Sequence, residues 1–294
     1  MSETTIPDHE YLTVRELAEL LRLKERKIYD LAASGQVPCS RATGKLLFPA
    51  AEVRHWIEAA QSGGRETAER PAIVLGSHDP LLDWAVRQSR SGLATYYDGS
   101  LDGLDRFVRG EGIAAGMHIR DARTGAWNIP AVRRVADTQN AVLIAFARRL
   151  RGLVFRQDGP KVRSMGDIAG LRFVPRQLES GTDALFRDAA RKAGIDPARL
   201  ALAEVARTED DAVQAVQRGE ADVAFGLECV ARVYGLGFLP QIDEEFALLV
   251  DRKAWFELPF RQFLDFCRSP AFRDRAGAMA GYDTSNLGGI LWNA

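Results

Sequence analysis

The sequence predicts an α/β chain led by a small helical unit of its own. Three observations carry that reading. From Pro71 onward, apolar runs such as AIVLG, LATYY and ADVAFG alternate with amphipathic stretches, the pattern of strands and crossover helices around mostly parallel sheets. Before them, residues 13–33 hold two short helical patterns with a tight break, and the second is basic. Between the two parts, AAQSGGRETAER (59–70) is charged and glycine-rich with no apolar period, which reads as a linker.

Composition narrows the function. The 46% hydrophobic fraction is ample for ordinary cores, and a net charge of −1 gives no global pull towards nucleic acid or membrane. Basic surface must therefore be local. Between Arg22 and Lys45, six basic residues stand against two acidic ones. Cys39, Cys229 and Cys267 lie far apart, which disfavours a disulfide framework or structural zinc and suits a reducing compartment. The start, MSETTIPDHEYL, lacks the basic and apolar regions of a secretory signal, and the apolar run Ala141–Ala147 is too short to span a bilayer. A soluble cytoplasmic protein is expected.

Residues 1–10 read as a lead-in. Thr13 opens a capping box with Glu16, ahead of Leu17, Leu20 and Leu21 at helical spacing. After a break at Arg22–Leu23, a second helix runs from Lys24 to Ala33 with Ile28 and Leu31 inward. Ser34-Gly35 closes it. Lys24, Arg26, Lys27 and Tyr29 then form an outward basic face, as on a helix that enters the major groove. The following GQVPCSRATGKLLFPAAEVRHWI predicts a hairpin turning at Thr43-Gly44 and a third helix burying Val53, Trp56 and Ile57. Arg41 and Lys45 on that hairpin can reach phosphates or a minor groove. Over residues 11–58 the pattern YLTVRELAELLRL…KIYDLAASGQVP…GKLLFPAAEVRHWI resembles the excisionase-like branch of winged helix-turn-helix domains, which implies DNA binding.

In the α/β part, strands are expected at AIVLGSHD, LATYYDGS and GIAAGMHI. Two more are expected in AVLIAFARRLRGLVFR, bent at Arg149–Gly152, and others at LALAEV, ADVAFGLE and FALLVDR, before a C-terminal helix from about Pro259. The stretch LRFVPRQLESGTDALFRDAA (171–190) is a strand, a polar elbow and a helix start. Its Ser180, Gly181 and Thr182 offer hydroxyls and unpartnered helix N–H groups, and Arg176 a cation: a recipe for holding an anion. Ser77-His78 and Gly99-Ser100 end strands in the same way, so three donor loops are expected to share one site.

From Pro71 to about Arg252 the chain resembles periplasmic-binding-protein-like substrate-binding domains, specifically the intracellular branch fused to helix-turn-helix domains, and is similar in kind to molybdate and tungstate receptors. The residues that carry the resemblance are GLVF (152–155), Asp167-Ile168, RFVPRQLESGT (172–182), AVQAVQRGEADVAFG (212–226) and GLGFLP (235–240). It implies a type II, two-lobed α/β domain over 71–294 that closes on a ligand in a central cleft. Lobe 1 takes about 71–148 and 244–294, and lobe 2 about 149–243. The ligand contacts it implies are Ser77, His78, Ser100, Arg176, Ser180, Gly181, Thr182 and Glu228, with His118 and Asn128 at the cleft edge.

Arg148, Arg149 and Arg151 read as a solvated turn near the hinge, Cys229 as buried, His55 as a surface residue, and Trp84, Phe107, Phe146, Trp255, Phe263 and Phe266 as core. The histidines show no metal-ligand spacing, and no nucleophile or acid–base pair stands out. No catalytic residue, metal or resident cofactor is therefore assigned. The expectation is a one-component transcription regulator sensing molybdate, tungstate or a molybdenum-cofactor-like species. Its partners would be a second copy of the chain and an inverted-repeat operator, since one small reader covers too little DNA for specificity. The alternatives are a sensor of an organic acid, or an enzyme or carrier of molybdenum-cofactor metabolism with a docking domain.

Overall fold

A computed structural model describes residues 10–42, 44–59, 69–177 and 180–294. The chain divides into two compact units, one ending at Glu69 and the other running from Arg70 to Ala294. Most of the expected linker, with Thr43 and the side chain of His55, lies outside the described residues.

The first unit is built on β1 (Tyr11–Thr13), α1 (Val14–Leu21), α2 (Glu25–Ala33), β2 (Leu47–Pro49) and α3 (Ala50–Ala59). Thr13 and Glu16 form the capping box at the start of α1, and Arg22 in the left-handed region (φ 53°) stops it. Leu12, Leu17, Ile28, Phe48 and Val53 are fully buried together. Ser40 and Leu47 exchange backbone hydrogen bonds at 2.7 and 2.9 Å and so close the hairpin. The sequence reading missed β1, which pairs Leu12 with Phe48 and ties the lead-in to the hairpin. Three residues are too few for an alternation signal.

The second unit is one ten-stranded mixed sheet. Lobe 1 carries β3 (Ile73–Gly76), α4 (Pro80–Ser89), β4 (Ala94–Tyr97), α5 (Ser100–Val108), β5 (Ala114–Met117) and α6 (Ile129–Ala136). Next, β6 (Ala141–Phe155) runs unbroken into lobe 2, which adds β7 (Arg172–Val174), α7 (Gly181–Lys192), β8 (Ala201–Leu202), α8 (Glu209–Gln217), β9 (Val223–Leu227) and α9 (Glu228–Val233). The chain returns along β10 (Gly237–Asp251) to α10 (Leu258–Cys267), α11 (Pro270–Gly277), β11 (Tyr282–Asp283) and β12 (Ile290–Asn293). The strand order is β4-β3-β5-β10-β6-β9-β7-β8, with β11 and β12 on the free edge of β6.

Two antiparallel strands, β6 and β10, thus belong to both lobes. Their register shifts at Pro240/Ile242 and Phe246/Ala247 mark where the ribbon bends. Gly152 sits opposite the first shift, where a Cβ would come 2.1 Å from the Leu239 carbonyl oxygen, so only glycine fits. Apolar clusters cover both faces of each lobe.

Three readings need correction. The segment AVLIAFARRLRGLVFR is one strand, not two, because its apolar content lets it be buried on both faces across the hinge. Arg149 and Arg151 are 0% and 1% exposed; only Arg148 faces solvent, paired with Asp243. LALAEV keeps just two residues in a strand, at the sheet edge. The C-terminal tail closes lobe 1: Trp292 is buried against the core that holds Phe107 and Leu143.

Candidate functional site

Three strand-to-helix turns converge between the lobes. The α5 turn brings Ser100 Oγ to 2.7 Å from Ser77 Oγ, and both residues are buried. Ser100 Oγ also accepts the backbone N–H of His118 at 3.1 Å. From lobe 2, Ser180 caps α7 by accepting the Asp183 N–H at 3.1 Å, which leaves its own proton free to donate. Gly181 and Thr182, in the first turn of α7, present N–H groups that a helix cannot satisfy internally. Ser77, His78, His118, Arg176, Ser180, Gly181 and Thr182 line one cavity of about 300 Å³.

His118 crosses from lobe 1 to touch lobe 2. Its Nδ1 lies 2.9 Å from Glu244 Oε2, and its ring stacks on Phe246 with centroids 6.1 Å apart. A Cβ on Gly181 would fall 2.8 Å from its Cε1, so glycine at that position permits the contact. Burial holds the His118 imidazole below its ordinary pKa despite the neighbouring Glu244 carboxylate.

Beneath the cavity lies a buried ion network that the sequence did not reveal. Asp79, which caps α4 at Leu82 N, accepts from Arg149 Nη1 at 2.7 Å and from the Tyr282 hydroxyl at 2.5 Å. Arg149 also donates to Glu244 Oε1 and lies 4.3 Å over the Phe246 ring. Arg151 bridges Glu244 and Glu209 at 2.7 Å each. Glu209 takes Thr182 Oγ1 at 2.9 Å and Arg176 Nη1 at 3.1 Å. Burial alone would raise the Glu209 pKa, but Arg151 and Arg176 outweigh it and hold the carboxyl at about 2. Glu244 lies well below its ordinary value too, burial being overcome by Arg149 and Arg151. Asp79, Glu209 and Glu244 thus face Arg149, Arg151 and Arg176, three charges against three.

Three residues named from sequence therefore have other work. Arg176 is not a free cation: its Nε and Nη2 donate to the Ala206 and Arg207 carbonyls at 3.0 and 2.8 Å, besides the Glu209 pair. Glu228 lies outside the cavity, at the start of α9, where it accepts from Arg232 at 2.8 Å. Asn128, fully buried, accepts the Ile119 N–H at 2.7 Å and donates to the Glu245 carbonyl at 3.0 Å, a brace and not a contact surface. His78 lines the cavity edge-on to Tyr97, with centroids 5.5 Å apart. Cys229 is buried, as expected.

In the first unit, Lys24, Arg26, Lys27 and Tyr29 on or just before α2 are all exposed, as are Arg41 and Lys45 on the hairpin. Ile28 points the other way into the core. Among the described residues, no three His, Cys, Asp or Glu side chains are grouped to hold a metal ion, and no helix is long and apolar enough to cross a membrane.

Comparison with known proteins agrees with this division. Residues 11–61 match a helix-turn-helix domain, and residues 84–268 match the PBP superfamily domain. The Bacillus subtilis (strain 168) protein YvgK is 23% identical over 300 residues, covering 95% of this chain and 97% of its own length. A Clostridium perfringens substrate-binding protein solved with bound phosphate superposes with a TM-score of 0.53 at 12% identity, over 72% of this chain and 98% of its own. A C206 mutant of OxyR from Corynebacterium glutamicum gives a TM-score of 0.50 at 13% identity, over 91% of this chain and 89% of that one. At such identities these two structures report the fold alone. With its family match spanning well over half its length, a two-lobed sheet hinged on β6 and β10, and a helix-turn-helix ahead of it, the chain belongs to the PBP superfamily.

Proposed function

We propose that the chain is a one-component transcription regulator whose helix-turn-helix unit reads DNA and whose two-lobed unit senses a small oxyanion or oxyanion-bearing molecule. The observation that carries this reading is the meeting of the Ser77–His78, Asp98–Gly99 and Ser180–Thr182 turns around one cavity, the last two leading into α5 and α7. Hydroxyls and helix N–H groups in one cavity wall stabilise negative charge, and the Glu209 carboxylate in that wall is neutralised by Arg151 and Arg176. Molybdate, tungstate and molybdenum-cofactor-like species are the candidates that the sequence resemblance names, with an organic acid as the alternative. The pairing of a DNA-reading domain with a binding-protein fold favours a regulator or binder over an enzyme.

The reader acts as a homodimer on an inverted repeat, in a cytoplasmic setting. Lobe closure biases the separation of the two readers, so effector and operator affinities are reciprocally coupled. Thermal unfolding of the full chain with millimolar molybdate, tungstate and phosphate tests the sensor. An anion that binds the folded state at a hundred times its Kd adds about 2.7 kcal/mol of stability. Ser180→Ala and Ser77→Ala should abolish the shift without unfolding the protein. Shifts unchanged in both variants would remove the cavity from the site.

A further inference from the structure

The cleft holds a second chamber. His118, Ser180 and Gly181 line the polar cavity on one side and, on the other, a cavity of about 430 Å³. The wall between them is the contact of the His118 ring with Gly181. The second chamber is of a different chemistry: Leu101, Ile119, Ala122, Ala184 and Leu185 supply much of its lining. Leu101 stands out among them. It is 54% exposed, yet it directly follows Ser100 in the first turn of α5 and faces this chamber.

Charge points the same way. Arg149, Arg151 and Arg176 are matched by three buried carboxylates, and the first chamber's lining adds one further charge of each sign, Arg207 and Asp98, so it has no surplus of cationic side chains for a dianion. Its hydroxyls and helix N–H groups suit a single acid group. At the second chamber, Arg120 and Arg187 are paired with Asp188 and Asp183 at 2.7 and 2.5 Å, and Arg191 donates to the Arg187 carbonyl at 3.1 Å. Both chambers fall at the low end of the ~300–1,000 Å³ range of cavities that enclose small organic molecules. A five-atom tetrahedral anion would leave most of that space, and the Leu101 side chain, in water.

We infer that the cleft takes an amphipathic organic acid: its acid group lies at Ser180 and the α7 N-terminus, which border both chambers, and its apolar body lies in the second chamber against Leu101, Ile119 and Leu185. This inference rests on the anion-site reading above and narrows its ligand. Covering apolar surface drives the body in, while the acid group fixes its orientation. Ser180 and Gly181 line the second chamber as well as the first, so head and body lie side by side without crossing the His118–Gly181 contact.

The test is a thermal-shift titration of the full chain with paired probes: inorganic phosphate against phenyl phosphate, and acetate against benzoate and hexanoate, with molybdate alongside. The expected result is that the organic probes act at concentrations at least tenfold lower than their bare counterparts. Leu101→Ser, which removes apolar surface at an exposed position without adding charge, and Ala184→Phe, which narrows the chamber, should each erase that tenfold advantage and leave the phosphate response as in the parent. Inorganic anions acting at concentrations as low as the organic ones overturn the inference and leave the oxyanion sensor standing. So does an organic response that neither variant alters. Absence of any shift with every probe overturns the anion site itself, and the inference with it.

Discussion

Arg151 Nε lies 2.7 Å from Glu244 Oε2, with neither side chain more than 1% exposed, at the point where β6 and β10 pass from one lobe to the other. The pair is one link of a chain running from Asp79 in lobe 1 to Glu209 and Arg176 in lobe 2. Buried ions of this kind are stable only as a complete set. Removing one member leaves its partners charged and out of water.

Arg151→Ala should therefore destabilise the second unit by about 3–5 kcal/mol, since Glu209 and Glu244 both lose a donor. Arg148→Ala, three residues earlier on the solvent side of the same strand, should change stability by less than about 0.5 kcal/mol. Urea unfolding of both variants checks the contrast. Equal losses would mean that the network contributes nothing beyond the strand itself.

The network also sets an acid limit. Glu209 titrates at about 2 in the fold against an ordinary 4.5, so the folded state holds fewer protons than the unfolded one between those values. Its contribution, roughly 3 kcal/mol, is complete above about pH 4.5 and is lost as pH falls towards 2. His118 acts in the same direction at higher pH. Kept neutral by burial, it stabilises above its ordinary 6.5 and loses that contribution as pH falls below. Stability measured from pH 8 to 3 should fall in two windows. His118→Gln should flatten the upper one, and Glu209→Gln should shrink the lower, to which Glu244 also contributes.

Sequence patterning made the layout legible but not the wiring. Strand–turn–helix punctuation at Gly76-Ser77, Gly99-Ser100 and Ser180-Gly181 located the three turns, because each is a local event. Arg149 and Arg151 share a parity opposite to Arg148 in an otherwise apolar run, so period-2 reading could have placed them inward. Their partners could not be found that way. Glu244 lies 93 residues from Arg151, and Tyr282 lies 203 from Asp79. Only the fold brings such residues together. Arg176 and Thr182 were given to the ligand because their carboxylate, Glu209, was out of sight in sequence.

In the helix-turn-helix unit, Lys27→Ala and Arg41→Ala each remove an exposed cation from α2 or the hairpin. Each should weaken operator binding and lower the slope of log K against log salt by about 1. Both positions are exposed, so unfolding temperatures should stay at the parent value. Mobility-shift titrations across salt concentrations that overlay the parent would remove these residues from the interface.

The contact between His118 and Gly181 gives the sharpest test of how the lobes meet. A methyl group at position 181 would lie 2.8–3.2 Å from three atoms of an imidazole already held by Glu244 and Phe246. Gly181 has no positive φ to forbid alanine, so the penalty is this clash and not backbone strain. Gly181→Ala should cost about 1–3 kcal/mol, the range for overpacking a filled site. Because the cost arises from one ring, His118→Ala should remove it: in the double variant, the added loss from the Gly181→Ala change should vanish. The resulting non-additivity should reach at least ~0.5 kcal/mol in a double-mutant cycle followed by urea unfolding. Strictly additive losses would show that the two residues do not meet, and that the lobes rest against each other elsewhere.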